Sequence, residues 1–110
     1  MRGDVYEYRP TQRRGHERQG ARCAIVVLVS RFSHLSTWLV VPTSTTAHAY
    51  GFRPSVLIKG QPTLALCDAL VSVDPQSRLG QHVGYLSLDE IARIDETLSI
   101  LLDLDTETPY

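Results

Sequence analysis

The sequence has no long apolar segment and, at its start, no hydrophobic leader. Its longest uninterrupted apolar run covers seven residues, 23–29, whereas a membrane-spanning helix needs roughly 20. We therefore predict no transmembrane helix and no membrane partner. The first six residues lack the apolar core of a signal peptide, and we accordingly expect a cytoplasmic protein.

Cysteine is also scarce, since Cys23 and Cys67 are the whole content. Both lie in apolar runs, which is typical of small buried side chains with reduced thiols. Neither has a second cysteine or a histidine at metal-ligand spacing, and the histidines outside the first loop are scattered along the chain. The pattern predicts no metal and no other cofactor.

Net charge is only −1, but it is unevenly distributed. Residues 1–31 contain seven arginines against three acids, a balance of +4, and residues 87–110 contain seven acids against one arginine, a balance of −6. A basic front half suits a polyanion such as nucleic acid, and the near-zero total makes such a site local. The acidic end either keeps the protein soluble or faces a basic partner.

The chain of 110 residues, 43% hydrophobic and without low-complexity tracts, is predicted to form one domain over 1–110. Apolar periodicity predicts strands at 4–8, 23–29, 38–42, 53–58, 64–68 and 82–86, with a turn at 59–62. Pro42 is expected to end the third strand because proline cannot donate to a ladder. Ser87 and Glu90 form a capping box. Behind it, apolar side chains recur at helical spacing: Leu88, Ile91, Ile94, Leu98, Leu101 and Leu102.

These elements predict an α+β fold, mainly β, with a strongly bent antiparallel sheet or small barrel and a C-terminal amphipathic helix. Periodicity does not distinguish between the bent sheet and the barrel.

Three polar segments lie at the edges of predicted strands. The loop 15–22 contains two glycines, a histidine, a glutamate and two arginines, and it leads directly into the strand at Cys23. The run 43–46 consists of four hydroxyl residues, and Asp68 is the one charge between 64 and 71. Loops on a rigid strand often carry functional groups. Each segment also has a structural reading, as a solvated loop, a hydroxyl turn and a strand-end aspartate bonded to the next turn.

A small barrel can bring these segments to one rim, and their residue types suit metal-independent cleavage of RNA by its own 2′-hydroxyl. That reaction needs a base, positive donors for the charge on the phosphorane, and an acid for the leaving 5′-oxygen. Arginine presents several fixed donors, and histidine transfers protons near neutral pH. Unpaired RNA is the expected substrate, and three aromatic residues near the loops can stack bases: Tyr8, Tyr50 and Phe52.

Taken in order, the motifs resemble the MazF/PemK (Kid, CcdB-like) toxin family over residues 2–104. The matching segments are Gly3-Asp4-Val5-Tyr6, Gly15-His16-Glu17, Gln19-Gly20, Arg22 before the apolar strand, Val41-Pro42-Thr43-Ser44-Thr45, Cys67-Asp68 and Val73-Asp74. The resemblance implies an SH3-like barrel of about six short antiparallel strands with a C-terminal helix, usually a homodimer. It also implies a sequence-selective, ribosome-independent and metal-independent endoribonuclease toxin that leaves a 2′,3′-cyclic phosphate and a 5′-hydroxyl. A cognate MazE-like antitoxin with an acidic C-terminal tail is the implied partner.

The resemblance also implies roles for individual residues. Arg22 matches the arginine that stabilises the scissile phosphate, and Ser44 stands where the family has a threonine hydroxyl. Asp68 and His16 match the aspartate proposed as base and the histidine proposed as supporting donor. The remaining residues expected to bind RNA are Arg13, Arg14, Glu17, Arg18, Gln19, Thr43 and Thr45.

Three positions depart from the family pattern. Cys23 replaces a proline, Ala69 replaces a glutamine, and Leu66 stands where one branch has the arginine proposed as the acid. The acid is therefore open: either Arg22 serves both charges or activity is weak. This departure keeps an alternative, a catalytically silent SH3-like module that binds RNA or protein. A toxin directed at DNA gyrase is a third reading, disfavoured because blocking a protein needs no phosphate-directed arginine.

Overall fold

The structure, a computed structural model, describes residues 1–10 and 22–104. Over these ranges the strands are β1 Asp4–Tyr8, β2 Cys23–Val26, β3 Trp38–Ser44, β4 Ser55–Ile58, β5 Gln61–Ala65, β6 Val71–Val73 and β7 Leu79–Tyr85. The helices are α1 Pro75–Arg78 and α2 Leu88–Leu102, with 3₁₀ turns at Ser30–Phe32 and Cys67–Ala69. No helix in the described ranges has the length and hydropathy that crossing a membrane requires.

The strands pair antiparallel in the order β4-β5-β3-β2-β1-β7. β3 is the central strand, because it pairs with β2 along one edge and with β6 and then β5 along the other. β4 and β7, the two ends of the order, lie in contact, so the sheet curls back on itself. The predicted α+β fold with a bent antiparallel sheet and a C-terminal helix is confirmed.

The two faces of the sheet carry separate apolar clusters, as the alternation of strand side chains requires. Ile25 of β2 points into the cluster that α2 covers through Ile94, Ile91 and Leu98. Ala24 and Val26 of β2 point into the other cluster, with Tyr6, Tyr8 and Trp38 packed against it. The apolar run at 23–29 therefore reflects a central strand buried on both faces.

Helix α2 begins at the predicted capping box. The Ser87 Oγ accepts from the Glu90 amide at 3.1 Å, and the Glu90 Oε1 accepts from the Ser87 amide at 2.8 Å. The second Glu90 oxygen accepts from the Leu57 amide of β4 at 2.7 Å, and Arg93 donates to the Ser55 carbonyl at 2.7 Å. The polar side of the helix thus ties it to β4.

Several predicted boundaries were wrong, most clearly at β3 and β5. Pro42 does not end β3, which continues to Ser44. Pro42 is paired with Ala24 of β2, and on the opposite edge it lies between the pairing with β6 and the pairing with β5, where its carbonyl accepts from the Leu66 amide at 2.9 Å. The fifth strand is Gln61–Ala65 instead of 64–68, so Asp68 lies in a 3₁₀ turn and not in a strand.

Other boundaries differ by a few residues. β2 ends at Val26 before a 3₁₀ turn, β4 begins at Ser55, and β7 begins at Leu79, directly after α1. The three-residue strand β6 was not predicted, because its apolar pattern is too short to show a period. Of the apolar helix positions, Leu88, Leu101 and Leu102 were expected to pack, yet they are exposed.

Candidate active site

A cavity of about 380 Å³ opens where β2 begins, β3 ends and the β4–β5 hairpin turns. Its described lining residues are Arg22, Cys23, Thr43, Ser44, Thr45, Thr46, Ile58, Lys59, Gln61 and Thr63. Two of them are cationic, five carry hydroxyls, and none is a carboxylate. This composition favours an anionic ligand.

The backbone of Arg22 is fixed at the start of β2 by hydrogen bonds of Arg22 itself and of the next residue. Its carbonyl accepts from the Tyr8 amide at 2.8 Å, which continues the β1–β2 pairing by one residue. The Thr43 hydroxyl donates to the carbonyl of the next residue, Cys23, at 2.9 Å. The start of β2 and the end of β3 are therefore locked together beside the cavity.

The Ser44 hydroxyl organises the turn that follows β3. Its Oγ accepts from the Thr46 amide at 3.1 Å and from the Ala47 amide at 2.9 Å. A hydroxyl has two acceptor lone pairs and one proton, so these bonds leave Ser44 its donor capacity. The expected turn chemistry of the hydroxyl run is thus confirmed at Ser44, and the same geometry keeps a donor available at the cavity.

Lys59 reaches the cavity from the tip of the β4–β5 hairpin. The hairpin has a two-residue turn in which Lys59 and Gly60 have φ of 54° and 76°. Positive φ at both central residues is the type I′ geometry that suits the twist of a hairpin. The thiol of Cys23 lines the same cavity. Burial raises the pKa of that thiol, and Lys59 works in the opposite direction.

Neither cysteine is prepared to act as a nucleophile. Burial raises the pKa of Cys23, and it raises the pKa of Cys67 to about 11. Since the thiolate is the reactive form, both side chains stay protonated near neutral pH. Cys23 therefore serves as an uncharged wall of the cavity.

Asp68 lies outside this cavity and forms a bidentate ion pair with Arg53. The Arg53 Nε and Nη2 donate to the two Asp68 oxygens, each at 3.0 Å. The hydrogen bond from Arg53 holds the pKa of Asp68 below its usual range, and the hydrogen bond to Asp68 raises the pKa of Arg53. Both oxygens of the carboxylate are thus engaged by one guanidinium.

A second cavity, of about 630 Å³, is larger but chemically different. Tyr6, His34 and Trp38 line it together with Asp74, and no lysine or arginine is among its described lining residues. An anionic ligand is therefore better matched by the smaller cavity.

Comparison with known proteins gives the family. The model of the PemK-like, MazF-like toxins of type II toxin–antitoxin systems matches residues 1–102. The chain belongs to this family. Rv3098A, a candidate toxin of Mycobacterium tuberculosis, is 33% identical to it over 105 residues, which are 94% of this chain and 98% of the relative.

Solved structures with the same fold include other members of the MazF type. The Mycobacterium tuberculosis toxin MazF-mt6 has a TM-score of 0.75 at 21% identity, covering 93% of this chain and 98% of its own. A mycobacterial endoribonuclease in complex with its cognate antitoxin has a TM-score of 0.77 at 18% identity, covering 100% and 97%. The MazF-like fold that the resemblance implied is therefore confirmed.

Only part of the predicted PemK/MazF site is brought together by the structure. Arg22 and Ser44 line one cavity with Thr43 and Thr45, whereas Asp68 lies apart with Arg53. The other predicted residues lie outside the described ranges: Arg13, Arg14, His16, Glu17, Arg18 and Gln19. Within residues 1–10 and 22–104, no group of three or more His, Cys, Asp or Glu side chains is arranged to hold a metal ion.

Sequence reasoning missed two cationic side chains in this toxin. Lys59 was read only as part of a turn, and Arg53 only as part of a strand. The turn signal at Lys59-Gly60 was correct, but the direction in which the hairpin points depends on the pairing of β5 with β3. No local signal connects Arg53 with Asp68, which are 15 residues apart.

Proposed function

We propose that this chain is a sequence-selective, metal-independent and ribosome-independent endoribonuclease toxin that acts on single-stranded RNA in the cytoplasm. The observation that carries the proposal is the cavity in which Arg22 and Lys59 share a lining with the hydroxyls of 43–46 and with no carboxylate among the described residues. Such a site attracts a phosphodiester and orients it. Membership of the toxin family, and the shared fold of a mycobacterial endoribonuclease, support the same class of reaction.

In the proposed reaction the ribose O2′ attacks the neighbouring phosphorus and the O5′ leaves. The products are a 2′,3′-cyclic phosphate and a 5′-hydroxyl. Arg22 binds the non-bridging oxygens as charge develops on the phosphorane, and the Ser44 hydroxyl donates a further hydrogen bond to them. Lys59 is the second cationic donor. It neutralises part of the phosphorane charge that, in one branch of the family, an arginine at the position of Leu66 would neutralise.

Proton transfer is assigned to His16, because an imidazole both accepts and donates protons near neutral pH. Asp68 was expected as the base, but its two oxygens are bound to Arg53 and its lowered pKa makes it a weak proton acceptor. We therefore propose Asp68 as a positioning residue for Arg53. The proposed RNA contacts along the strand are Arg13, Arg14, Glu17, Arg18, Gln19, Thr43 and Thr45.

The proposed partners are a second copy of the chain and a cognate antitoxin. A flexible acidic antitoxin tail complements the cations Arg22 and Lys59, so that it competes with RNA for the same cavity. The shared fold of an endoribonuclease solved with its cognate antitoxin supports this assignment.

One observation favours the alternative of a catalytically silent binding module. Leu66 contributes no charge, and the carboxylate that the family resemblance offers as base is occupied by Arg53. A module of this kind holds RNA in the same cavity without cleaving it.

The deciding experiment is incubation of a mixed-sequence single-stranded RNA with the purified protein in EDTA, followed by analysis of the RNA ends. We expect cyclic-phosphate ends from the wild type and a rate about 10²- to 10³-fold lower from Arg22→Ala, the usual effect of removing one charge-stabilising donor. Arg31→Ala is the matched control, since Arg31 lies in the 3₁₀ turn beyond the opposite end of β2.

The possible results separate the three readings. Cleavage by the wild type and by Arg31→Ala, with loss in Arg22→Ala, supports the endoribonuclease. Intact RNA together with measurable binding supports the silent module. If the RNA is neither cleaved nor bound, both RNA readings are contradicted and a protein target remains.

A further inference from the structure

A ladder of three aromatic rings lies in the segment between β3 and β4. The rings are those of His48, Tyr50 and Phe52, and we call this set the aromatic ladder. The His48 and Tyr50 centroids are 4.9 Å apart, and the Tyr50 and Phe52 rings stack at 4.9 Å with 16° between their planes. None of the three rings belongs to either apolar cluster of the described residues, and Tyr50 is 49% exposed. The ladder is therefore not part of the core.

The guanidinium of Arg53 is fixed against this ladder. Its Cζ lies 4.9 Å from the Tyr50 centroid and 5.6 Å from the Phe52 centroid, within the range of cation–π attraction. Two nitrogens of Arg53 donate to Asp68, and the third, Nη1, donates to the His48 carbonyl at 2.9 Å. The Arg53 amide also donates to the Tyr50 carbonyl at 2.9 Å, which closes the turn. The rings and the cation are thus ordered before any ligand arrives, which lowers the entropic cost of binding.

The aromatic ladder directly follows the residues of the cavity in the sequence. Ser44 ends β3 at the cavity and accepts from the amides of Thr46 and Ala47, and His48 is the next residue. At the other end of the segment, the Pro54 carbonyl accepts from the Ala65 amide at 2.8 Å. The ladder therefore lies on a segment that is anchored at both ends to the strands of the cavity.

We propose that the aromatic ladder is a stacking subsite for an unpaired nucleobase of the RNA whose scissile phosphate occupies the cavity. The inference rests on the proposed function. Sites for single strands combine cationic grooves with aromatic faces, on which any base can stack. Here the cavity supplies Arg22 and Lys59, and the ladder supplies three rings with Arg53 beside them.

The test uses a single-stranded 2′-O-methyl oligonucleotide, which lacks the attacking hydroxyl and cannot be cleaved. A series of such oligonucleotides carries 2-aminopurine at successive positions, and stacking of this base quenches its fluorescence. We expect the wild type to quench the probe at one or two positions. Tyr50→Leu abolishes this quenching and weakens binding about tenfold or more, the scale of one lost base–aromatic contact. Tyr50→Phe restores both, because the ring is kept and only the hydroxyl is lost.

Tyr85→Leu is the matched control. Tyr85 is a 77% exposed tyrosine that pairs with Asp4, whereas Arg22 is bonded to Tyr8 at the opposite end of β1. Its removal leaves quenching and binding as in the wild type. Circular dichroism of every variant reports whether it is folded.

Cleavage of unmodified RNA is measured in parallel, so that the two proposals fail separately. If the wild type cleaves and Tyr50→Leu binds as tightly as Tyr50→Phe, the stacking subsite is overturned and the endoribonuclease stands. If the wild type does not cleave but quenching depends on Tyr50, the subsite stands without the reaction.

Discussion

At the scale of single residues, the ion pair of Arg53 and Asp68 changes how the departure from the family pattern at Leu66 is interpreted. The family resemblance offers an arginine two residues before the aspartate, and this chain has a half-buried leucine there. In space, a guanidinium is nevertheless present beside the aspartate, contributed by Arg53 from the end of a different loop. The departure in sequence is thus not a loss of positive charge next to Asp68.

Ser44 has two separable tasks, which leads to a prediction at the same scale. Its Oγ accepts two amide protons in the turn, and its proton is available for a phosphate oxygen. Ser44→Asp keeps an acceptor for the turn but replaces the donor with a negative charge. We therefore expect this variant to fold with wild-type thermal stability and to lose cleavage by about 10²-fold or more, as for removal of a transition-state donor.

Two further variants serve as controls for Ser44. Ser44→Thr retains donor and acceptor and supplies the residue type found in the family, so its cleavage rate is expected to match the wild type. Ser44→Ala loses both functions, with a lower melting temperature and a lower rate. Rapid cleavage by a folded Ser44→Asp protein contradicts the assignment of Ser44 as a donor to the substrate.

A site residue could be predicted from the sequence where nearby residues determine its position, and not where the pairing of distant strands determines it. Apolar patterning reveals the strand start next to Arg22, and it places Ser44 two residues beyond the predicted end of β3, so their place at one end of the sheet could be inferred. Lys59 shares a cavity with Cys23 only because β5, β3 and β2 pair side by side, and pairing of distant strands leaves no local trace. The same limit applies to Asp68, which was placed in a strand although it lies in a 3₁₀ turn.

At the scale of secondary-structure elements, Pro42 shows where a local rule is overridden. The missing N–H of proline predicts the end of a strand, but β3 continues because its pairing with β5 begins at the next residue, Thr43. The capping box at Ser87 behaved as predicted, since its bonds connect residues only three positions apart. Local chemistry could therefore be read from the sequence, while boundaries determined by tertiary pairing could not.

The contact between α2 and β4 leads to a prediction at this scale. Glu90 accepts from the amides of Ser87 and Leu57, so one side chain both caps the helix and ties it to the sheet. Glu90→Ala removes both bonds and is expected to lower the free energy of unfolding by about 2–4 kcal/mol, the sum expected from a lost cap and a lost charged hydrogen bond. Urea unfolding measures this, with Glu96→Ala, an exposed position of the same helix, as control.

The Glu90 contribution also depends on pH in a defined direction. Burial works to raise the pKa of Glu90, but the amides of Leu57 and Ser87 outweigh it, and the pKa lies below the ordinary value of 4.5. The stabilisation is therefore complete above about pH 4.5 and is lost as pH falls through the lower pKa of the folded state. The difference in stability between wild type and Glu90→Ala should shrink on acidification. A difference that grows as the pH falls contradicts this account.

At the scale of the whole molecule, charge and apolar surface are distributed to different regions. Arg22 and Lys59 line a cavity that has no acid among its described lining residues, whereas acids are concentrated toward the C-terminal helix. A net charge of −1 is therefore compatible with a local group of two cations, of which Arg22 belongs to the arginine-rich residues 1–31 and Lys59 does not. Such a separation suits the proposed function, in which one surface holds a polyanion and the rest of the molecule does not attract nucleic acid.

The end of α2 carries the last prediction, which concerns self-association. Ile100 is 72% exposed, Leu102 is 51% exposed, and Leu104 just beyond the helix is 57% exposed. Grouped apolar side chains of this kind often mark an interface in the assembled protein. We expect light scattering to give the mass of a homodimer and the melting temperature to rise with protein concentration, because assembly stabilises the folded state by mass action.

A substitution at the end of α2 tests whether the dimer interface includes this end of the helix. Ile100→Glu places a charge in the proposed interface, and it should shift the mass toward the monomer and remove the concentration dependence of the melting temperature. Ser99→Glu adds the same charge at the adjacent exposed polar position and should leave the dimer intact. A dimer that persists in Ile100→Glu moves the interface elsewhere on the molecule. A wild-type monomer at every concentration contradicts the homodimer itself, and the cavity of a single chain must then be sufficient for whatever it binds.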